Sequence, residues 1–369
     1  MKIDANSVTF EPQDMAFVKN FGILKATEMM LDYHAEHPNL PFLYDAEQLA
    51  GFLGISRGEL NDIVNHIQKE YKEAHLPKKD GTYRSLCVPS IRLRFCQDPI
   101  KEKILPQLPV SKFATAYQKG STTRGNAEPH IGKKFLLKLD ITDFFGSITF
   151  EQVQRTAFNT RYVSRQVGYL LTSLCCKGDS LPQGAATSPA LSNIVMYRFD
   201  DYIGRWCSQR QIAYTRYCDD MTFSANRPLY GVYQKVKTML REMGFELNES
   251  KTHFIGNDNR QSVTGLVVNE KLSIPSGYKR DLRQEVYYAL KFGVEDSVLH
   301  GHRSDFVEDG RPICCPTYML HLMGKVQYVL QIEPENLWFK DAQKKLLAYI
   351  YEHYSESLSY YLHFNKNGK

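Results

Sequence analysis

The sequence lacks any long uncharged apolar run. Nowhere in its 369 residues does such a run approach the ~18 residues that a membrane-spanning helix requires. The opening MKIDANSVTF also lacks the apolar stretch of a signal peptide. We therefore expect a cytoplasmic protein with no membrane partner. Internal repeats, low-complexity tracts and long flexible linkers are absent as well.

The cysteines show neither disulfide-framework nor zinc-site spacing. There are eight, irregularly spaced, and they include the adjacent pairs Cys175-Cys176 and Cys314-Cys315. This usage is typical of cytosolic thiols. Because neither pair follows the CxxC pattern of zinc ligands, we assign them no metal and expect Cys175-Cys176 to be core residues.

Composition excludes wholesale disorder, since 43% of the residues are hydrophobic and 24% are charged. The length predicts two or three subdomains. The net charge of +5 is unevenly distributed: residues 1–77 carry 6 basic and 12 acidic side chains, whereas residues 78–138 carry 13 basic and 4 acidic ones. The basic stretch is a candidate polyanion-binding surface. A solvated face whose charges are neutralised elsewhere in the fold is an equally good reading.

The first half of the chain predicts helices followed by a hairpin and a strand. Apolar residues recur at helical spacing between Phe17 and Lys72, with Ser56 as an N-cap. Asp80-Gly81, flanked by short alternating runs, predicts a β-hairpin. Residues 119–133 predict a loop leading into a helix. The run FLLKL at 135–139 then predicts a buried strand that ends at Asp140.

The second half predicts the rest of an antiparallel sheet. Residues 150–176 are expected to be helical, and Ser188 is expected to cap a helix that starts at Pro189. Two strands within 214–224 meet at Asp219-Asp220, and a helix over 230–243 and strands over 245–255 and 262–268 follow. The order is that of a βαββαβ unit, an antiparallel sheet with helices on one face. From Gly277 onward the pattern is helical, interrupted near 301–316.

Three carboxylates form the main candidate site. Neighbouring strands would bring Asp140 beside Asp219-Asp220, and like charges at contact distance are costly unless cations lie between them. Mg²⁺ prefers oxygen ligands and commonly bridges carboxylates to phosphates. Two such ions can activate an attacking hydroxyl and stabilise a leaving oxygen. An isolated Asp-Asp, however, is more often a polar turn.

Ordered motifs favour the catalytic interpretation. LDITDFFGSI, LPQGAATSPALSN, YCDD, GFELNESKT and VTGLVV resemble the successive motifs of reverse transcriptases. The segment Asn126 to His130 resembles the NAxxH signature, and Val263-Thr264-Gly265 the VTG signature, of bacterial retron reverse transcriptases. The resemblance extends from about Leu43 through the VTG strand and, more weakly, beyond it.

The resemblance implies a fold and a division of the chain. It implies an α+β right-hand polymerase with fingers, an antiparallel RRM-like palm sheet and a mostly helical thumb. Its segments would be an N-terminal helical region at 1–75, fingers at 76–138 with part of 150–188, a palm at 139–149 and 189–275, and a thumb at 276–369.

The resemblance also implies roles for individual residues. Asp140, Asp219 and Asp220, with the Ile141 backbone carbonyl, would hold two Mg²⁺ ions, and Lys251 would protonate the leaving pyrophosphate. The nucleotide-binding residues would be Lys78, Arg84, Phe145, Gln183 and Gly184. Phe145 resembles the steric gate that rejects a 2′-OH, and Arg84 is the stronger candidate for binding the triphosphate.

The expected RNA-binding residues are Arg124, Asn126, His130, Val263, Thr264 and Gly265. For His130, an RNA contact or a brace for its loop is favoured over a chemical role, since no second His or Cys lies nearby in sequence. Tyrosines after residue 276 could stack on RNA, although their helical spacing favours packing.

The family implies RNA-templated DNA synthesis on a partner non-coding RNA, primed from an internal guanosine 2′-OH, with a separately encoded effector in anti-phage defence. The expected partners are therefore that RNA, its DNA product, dNTPs and the effector. Two alternatives stay open. One is a group II intron-like or other defence-associated reverse transcriptase, and the other is a scaffold that binds RNA and an effector.

Overall fold

The protein is described here from a computed structural model. The described residues are 10–77, 81, 83–159, 163–301, 306–308, 311–312 and 315–367. The chain divides into two compact units. The first comprises Met1–Thr122 and Lys134–Phe254, and the second comprises Thr123–Lys133 and Ile255–Lys369.

Both units combine helices and strands. The α-helices are α1 Met15–Phe21, α2 Ile23–Glu36, α3 Ala46–Leu53, α4 Arg57–Asn65, α5 Ile91–Pro99, α6 Thr123–Ala127, α7 Phe150–Thr156, α8 Arg165–Cys175, α9 Ser188–Ser208, α10 Tyr230–Glu242, α11 Ser276–Phe292, α12 Val294–His300, α13 Cys315–Ile332 and α14 Leu337–Asn367. The strands are β1 Tyr71–Pro77, β2 Tyr83–Pro89, β3 Phe135–Asp140, β4 Ala213–Tyr217, β5 Asp220–Ala225, β6 His253–Gly256, β7 Ser262–Val263, β8 Leu266–Val267, β9 Val307–Glu308 and β10 Arg311–Pro312.

The largest sheet has the strand order β4-β5-β3-β6. β5 pairs antiparallel with both β3 and β4. Helices α7 to α9 connect β3 to β4, and α10 follows β5. This is the expected βαββαβ order, so the predicted α+β class and antiparallel sheet are confirmed. The finger, palm and thumb boundaries stay a prediction.

An apolar core supports the sheet. Leu139 of β3 and Phe223 of β5 are buried in one cluster with Leu171 of α8, Ile194 of α9 and Val236 of α10. Cys175 and Cys176 lie in the same cluster, as the sequence predicted. Burial of this apolar surface fixes the helices against one sheet and thereby fixes the ends of β3 and β5.

The N-terminal region is helical as predicted and has the predicted cap at Ser56, although β1 already begins at Tyr71. Ser56 caps α4, because its hydroxyl accepts a hydrogen bond from the Glu59 N–H while its own N–H donates to the Glu59 carboxylate. Gly54 ends α3 with a φ of 73°, in the left-handed region. The predicted hairpin is formed by β1 and β2, but residues 78–80 of its turn lie outside the described part of the chain.

Three local predictions are wrong. Ser188 does not cap α9. Thr187 occupies the N-cap position, and the Ser188 hydroxyl instead donates to the Pro182 carbonyl. The strand expected over 245–255 is reduced to β6, because a 3-10 turn occupies Glu249–Lys251. The single strand expected over 262–268 is instead a hairpin of two strands, β7 and β8, each two residues long.

The second unit is mostly helical. Leu282 and Val286 of α11, Leu322 and Val326 of α13, and Leu346 of α14 are completely or almost completely buried. The predicted interruption of the helices near 301–316 is present between α12 and α13, where the short strands β9 and β10 pair. Within the described residues, the helices are all too short or too polar to cross a membrane.

Candidate active site

Two strand ends bring the predicted carboxylates together. In the register of β3 with β5, Asp140 pairs with Asp220. Directly opposed residues of an antiparallel pair project to the same face, so these two carboxylates share one face of the sheet. Asp219 lies in the turn that joins β4 to β5 and is partly exposed. The backbone thus places Asp140 beside the Asp219-Asp220 turn, as the sequence predicted, while the role of these residues stays a prediction.

Backbone hydrogen bonds fix the positions of these residues. The Ile141 N–H donates to the Asp219 carbonyl at 3.2 Å. The Asn248 N–H donates to the Asp140 carbonyl at 2.8 Å. Because both bonds use the main chain, the end of β3 is held to the Asp219 turn and to the segment before Lys251 independently of the aspartate side chains. The proposed contact of the Ile141 carbonyl with a metal stays a prediction.

Lys251 is the cation that contacts Asp140. Its Nζ lies 3.0 Å from both Oδ1 and Oδ2 of Asp140. The 3-10 turn at Glu249–Lys251, capped by the Asn248 side chain, places this lysine beside the end of β3. Asp140 is buried, whereas the Lys251 side chain is 59% exposed. The ammonium can therefore move into solvent while the carboxylate stays in place.

The pKa values of the Asp140 and Asp220 carboxyl groups are raised. Burial and the nearby charge of Asp219 raise the pKa of Asp140, although Lys251 opposes this shift. The protein atoms crowded around Asp220, together with Asp219, raise the pKa of the Asp220 carboxyl. The hydrogen bond to Asp140 raises the pKa of Lys251. The site therefore favours additional cations.

The Pro182-Gln183-Gly184 loop packs against the hairpin of β1 and β2. The Cys87 N–H donates to the Gln183 carbonyl at 2.7 Å. Gly184 has a φ of 125°, and a Cβ at this position would lie 2.8 Å from the Cys87 carbonyl oxygen. Only glycine allows the loop to approach the Cys87 backbone this closely.

The predicted nucleotide-binding residues occupy different environments. Arg84 is exposed on β2, opposite Leu76. Phe144 is buried at 4% exposure, and the partly buried Phe145 packs on it with ring centroids 5.5 Å apart. Phe145 is thus the more accessible ring of the two, as its expected role requires. Lys78 lies outside the described residues.

In the second unit, the NAxxH and VTG segments contact each other. Asn126 of α6 is buried, and its Nδ2 donates to Thr264 Oγ1 at 3.4 Å. Thr264 Oγ1 donates to the Thr123 carbonyl at 3.2 Å. Thr264 and Gly265 have φ values of 45° and 83° and form the turn between β7 and β8. Val263 is completely buried.

His130 and Arg124 flank this contact. His130 lies in a 3-10 turn at Glu128–His130 and is completely buried. Burial, with a contribution from Lys133, lowers the pKa of His130 to about 3, so the imidazole is neutral at physiological pH. Arg124 is half exposed and donates to the Gln331 carbonyl at 3.2 Å. The burial of His130 fits a brace for its loop better than a direct RNA contact.

Comparison with known proteins identifies the family. Residues 76–268 match the family described as reverse transcriptase (RNA-dependent DNA polymerase). The chain is 31% identical over 320 residues to the retron Mx65 reverse transcriptase of Myxococcus xanthus, covering 80% of this chain and 70% of that protein. The chain belongs to the retron reverse transcriptases. It is accordingly an RNA-directed DNA polymerase.

Other proteins match over much of the chain. The retron Ec86 reverse transcriptase of Escherichia coli is 28% identical over 270 residues, covering 72% of this chain and 84% of that protein. Among solved structures, telomerase from Candida albicans with a fragment of telomeric RNA has a TM-score of 0.42 at 12% identity. That match covers 78% of this chain and 62% of the telomerase chain.

The donor set of this retron reverse transcriptase fits Mg²⁺. Asp140, Asp219 and Asp220 supply hard oxygen ligands, and burial, together with the charge of Asp219, raises the pKa of Asp140 and of Asp220, so that a bound cation would stabilise their charged forms. Within the described residues, however, these side chains are not gathered into a three-ligand group, and Asp140 is engaged by Lys251. Binding a divalent ion therefore requires that Lys251 withdraw and that the carboxylates turn inward.

One residue beside the turn between β4 and β5 was missed by the sequence patterns. Arg216, on β4 three residues before Asp219, is completely buried and forms an ion pair with Asp200 of α9. A charged residue inside a strand whose neighbours Tyr214 and Thr215 are buried was a usable signal, because charged side chains are almost never fully buried unless they are paired.

Proposed function

We propose that this reverse transcriptase copies a partner non-coding RNA into single-stranded DNA, using Asp140, Asp219 and Asp220 to hold two Mg²⁺ ions. The supporting observation is the register of β3 with β5, which places Asp140 opposite Asp220 and beside Asp219, in a protein of the retron family. When bound, the ions supply Lewis acidity to the attacking and leaving oxygens. Lys251 then donates a proton to the pyrophosphate.

The chain itself provides the nucleotide pocket in this proposal. Arg84 binds the triphosphate with its guanidinium, while Phe145 lies under the sugar and excludes a 2′-OH. The contact between Cys87 and Gln183 joins the hairpin that carries Arg84 to the loop that faces the incoming base pair. Nucleotide binding and template alignment are thereby coupled through one backbone hydrogen bond.

The RNA partner and the priming step also belong to the proposal. Synthesis begins at an internal guanosine 2′-OH of the RNA, which leaves a branched RNA–DNA hybrid. The contacts between the NAxxH and VTG segments in the second unit stabilise an RNA-contacting surface around Arg124. A separately encoded effector uses the RNA–DNA hybrid in anti-phage defence. The named retron relatives favour this reading over a group II intron-like enzyme.

Sequencing of the nucleic acid that copurifies with the protein tests the proposal. The expected result is DNA joined to RNA through a 2′–5′ linkage, and its loss in the double variant Asp219→Asn/Asp220→Asn while the RNA still copurifies. The matched control is Glu28→Gln/Asp32→Asn, which removes two exposed charges from α2. Linear DNA would contradict the priming step, and DNA made by the double variant would contradict the site.

A scaffold function is the second candidate, since the resemblance also allows a protein that binds RNA and an effector. Phage protection by the wild type and by the Asp219→Asn/Asp220→Asn variant separates the two. We expect protection to disappear in the variant. Protection that persists without DNA synthesis would favour the scaffold.

A further inference from the structure

A buried ion pair lies directly beside the catalytic turn. Arg216 and Asp200 are both completely buried. The guanidinium forms a fork on the carboxylate, with Nε donating to Oδ1 at 2.9 Å and Nη2 donating to Oδ2 at 2.6 Å. Such bidentate pairs fix the orientation of the guanidinium as well as its position.

Further polar groups complete the network around this pair. Tyr214 Oη donates to Asp200 Oδ1 at 2.7 Å, and Arg216 Nη2 also donates to Asn193 Oδ1 at 3.1 Å. Asn193 in turn donates through Nδ2 to the Ala116 carbonyl at 2.8 Å. The position of the Arg216 guanidinium is therefore fixed by its hydrogen bonds to Asp200 and Asn193, independently of its contact with the turn.

The remaining donor of Arg216 points to the turn that carries the catalytic aspartates. Nη1 donates to the Cys218 carbonyl at 2.8 Å. Cys218 has a φ of 62°, a left-handed conformation that is unfavourable for a residue with a Cβ. Because Cys218 directly precedes Asp219, its backbone conformation sets the direction in which Asp219 leaves the turn.

We propose that Arg216 is a positioning residue that holds Cys218 in this conformation and so orients Asp219 toward Asp140. Ordinary stabilisation does not explain the pair, since a buried ion pair is often no more stable than apolar residues of the same volume. A fixed backbone conformation does explain it, because the strained conformation of Cys218 persists only where its surroundings enforce it.

Arg216 also reaches the other half of the site. Its guanidinium carbon lies 5.8 Å from the centre of the Phe144 ring, and Phe144 belongs to the segment that follows Asp140. The same side chain therefore contacts the segment after β3 and the turn between β4 and β5. This inference rests on the proposed roles of Asp140, Asp219 and Asp220.

Arg216→Lys tests the proposal, with Tyr214→Phe as the matched control. The lysine keeps the charge beside Asp200 but cannot also reach the Cys218 carbonyl, whereas Tyr214→Phe removes a buried hydrogen bond to Asp200 that does not touch the turn. Mn²⁺ binding is measured by electron paramagnetic resonance, and kcat, KM for dNTP and melting temperature are measured in parallel.

We expect Arg216→Lys to weaken Mn²⁺ binding roughly tenfold, as loss of a group that orients metal ligands commonly does. Its kcat falls with little change in KM, and Tyr214→Phe shows neither effect at a comparable loss of melting temperature. Equal Mn²⁺ affinity in the two variants would overturn the positioning role. A wild type that neither binds Mn²⁺ nor extends a primer would instead overturn the active-site assignment.

A double-mutant cycle with Cys218→Gly examines the backbone claim directly. Glycine adopts the left-handed conformation without strain, so Arg216→Lys should weaken Mn²⁺ binding much less when residue 218 is glycine. Additive effects would contradict the proposal. If the Arg216→Lys variant does not fold, Asp200→Asn replaces it in the cycle, because this change removes the carboxylate that pairs with the Arg216 guanidinium.

Discussion

The ammonium of Lys251 lies 3.0 Å from both carboxylate oxygens of Asp140. This cation therefore occupies the face of Asp140 that a metal ion would need. Because Lys251 is 59% exposed and Asp140 is buried, the lysine is the partner that can move. Metal binding and the position of the proposed proton donor are thus coupled at a single carboxylate.

Replacing Lys251 should have two opposite effects. Lys251→Met is expected to lower the Mg²⁺ concentration that half-saturates the enzyme, because Asp140 loses its competing cation. It should also lower kcat by about 10²-fold, the lower end of the usual range for a general acid. Primer-extension kinetics across a Mg²⁺ titration measure both quantities.

Lys235→Met is the control for this prediction. Lys235 lies on α10, and its Nζ donates to Tyr202 Oη at 3.2 Å, so this lysine takes no part in the Glu249–Lys251 turn. It should change neither the Mg²⁺ requirement nor kcat. A Lys251→Met enzyme that needs more Mg²⁺ than the wild type would contradict the competition.

Gly184→Ala should destabilise the loop that contacts the β1–β2 hairpin. The alanine would be strained at a φ of 125° and would push its Cβ against the Cys87 carbonyl. We expect a loss of roughly 1–3 kcal/mol in the free energy of unfolding and a raised KM for dNTP. Gly231→Ala is the control, since a Cβ there meets nothing within 4 Å. Equal denaturation midpoints for the two variants would argue against this packing.

Phe145→Ala should weaken discrimination against ribonucleotides. Opening the space under the sugar is expected to reduce selectivity for dNTP over NTP by ~10-fold or more, the usual worth of a pocket contact. Competing single-nucleotide incorporation with dNTP and NTP measures this ratio. Phe17→Leu, a change in a completely buried ring that packs on Phe21 and Phe42 near the N-terminus, should leave the ratio unchanged. Selectivity preserved in Phe145→Ala would remove this residue from the proposed role.

His130→Ala should act through the loop that His130 supports. Removing a completely buried side chain costs roughly 2–5 kcal/mol in a core, so the second unit should melt earlier. Because the three aspartates proposed to hold the metal ions lie in the first unit, synthesis on the cognate RNA should fall more than synthesis on a generic primer-template. An equal loss on both templates would assign His130 a purely structural role.

Sequence patterns predicted the sheet well because short-range rules determine its parts. Asp140 follows a run of apolar residues, and burial of that run in β3 places the aspartate at the strand end. Asp219 lies in the tight turn between β4 and β5, and Asp220 begins β5; because the turn is so short, the two strands pair with each other. Convergence of the three carboxylates then follows from one βαββαβ arrangement.

Contacts between segments distant in sequence were not predictable in the same way. The VTG segment was expected to lie within one strand, but Thr264 and Gly265 form a turn because both adopt positive φ values. Such a turn favours glycine, asparagine or aspartate at both positions. The bond from Asn126 to Thr264 joins segments 138 residues apart, and no local pattern encodes it.

The second unit is built from two pieces of chain, Thr123–Lys133 and Ile255–Lys369, separated by the whole sheet. During synthesis the first piece leaves the ribosome long before the second. The hydrogen bond between Asn126 and Thr264 therefore cannot form until the intervening residues have been synthesised. Two-fragment versions of this enzyme cut after Phe254 would separate the NAxxH segment from the VTG segment. Reassembly of such fragments would then report on the contacts between the two pieces, including those from Asn126 to Thr264 and from Arg124 to Gln331.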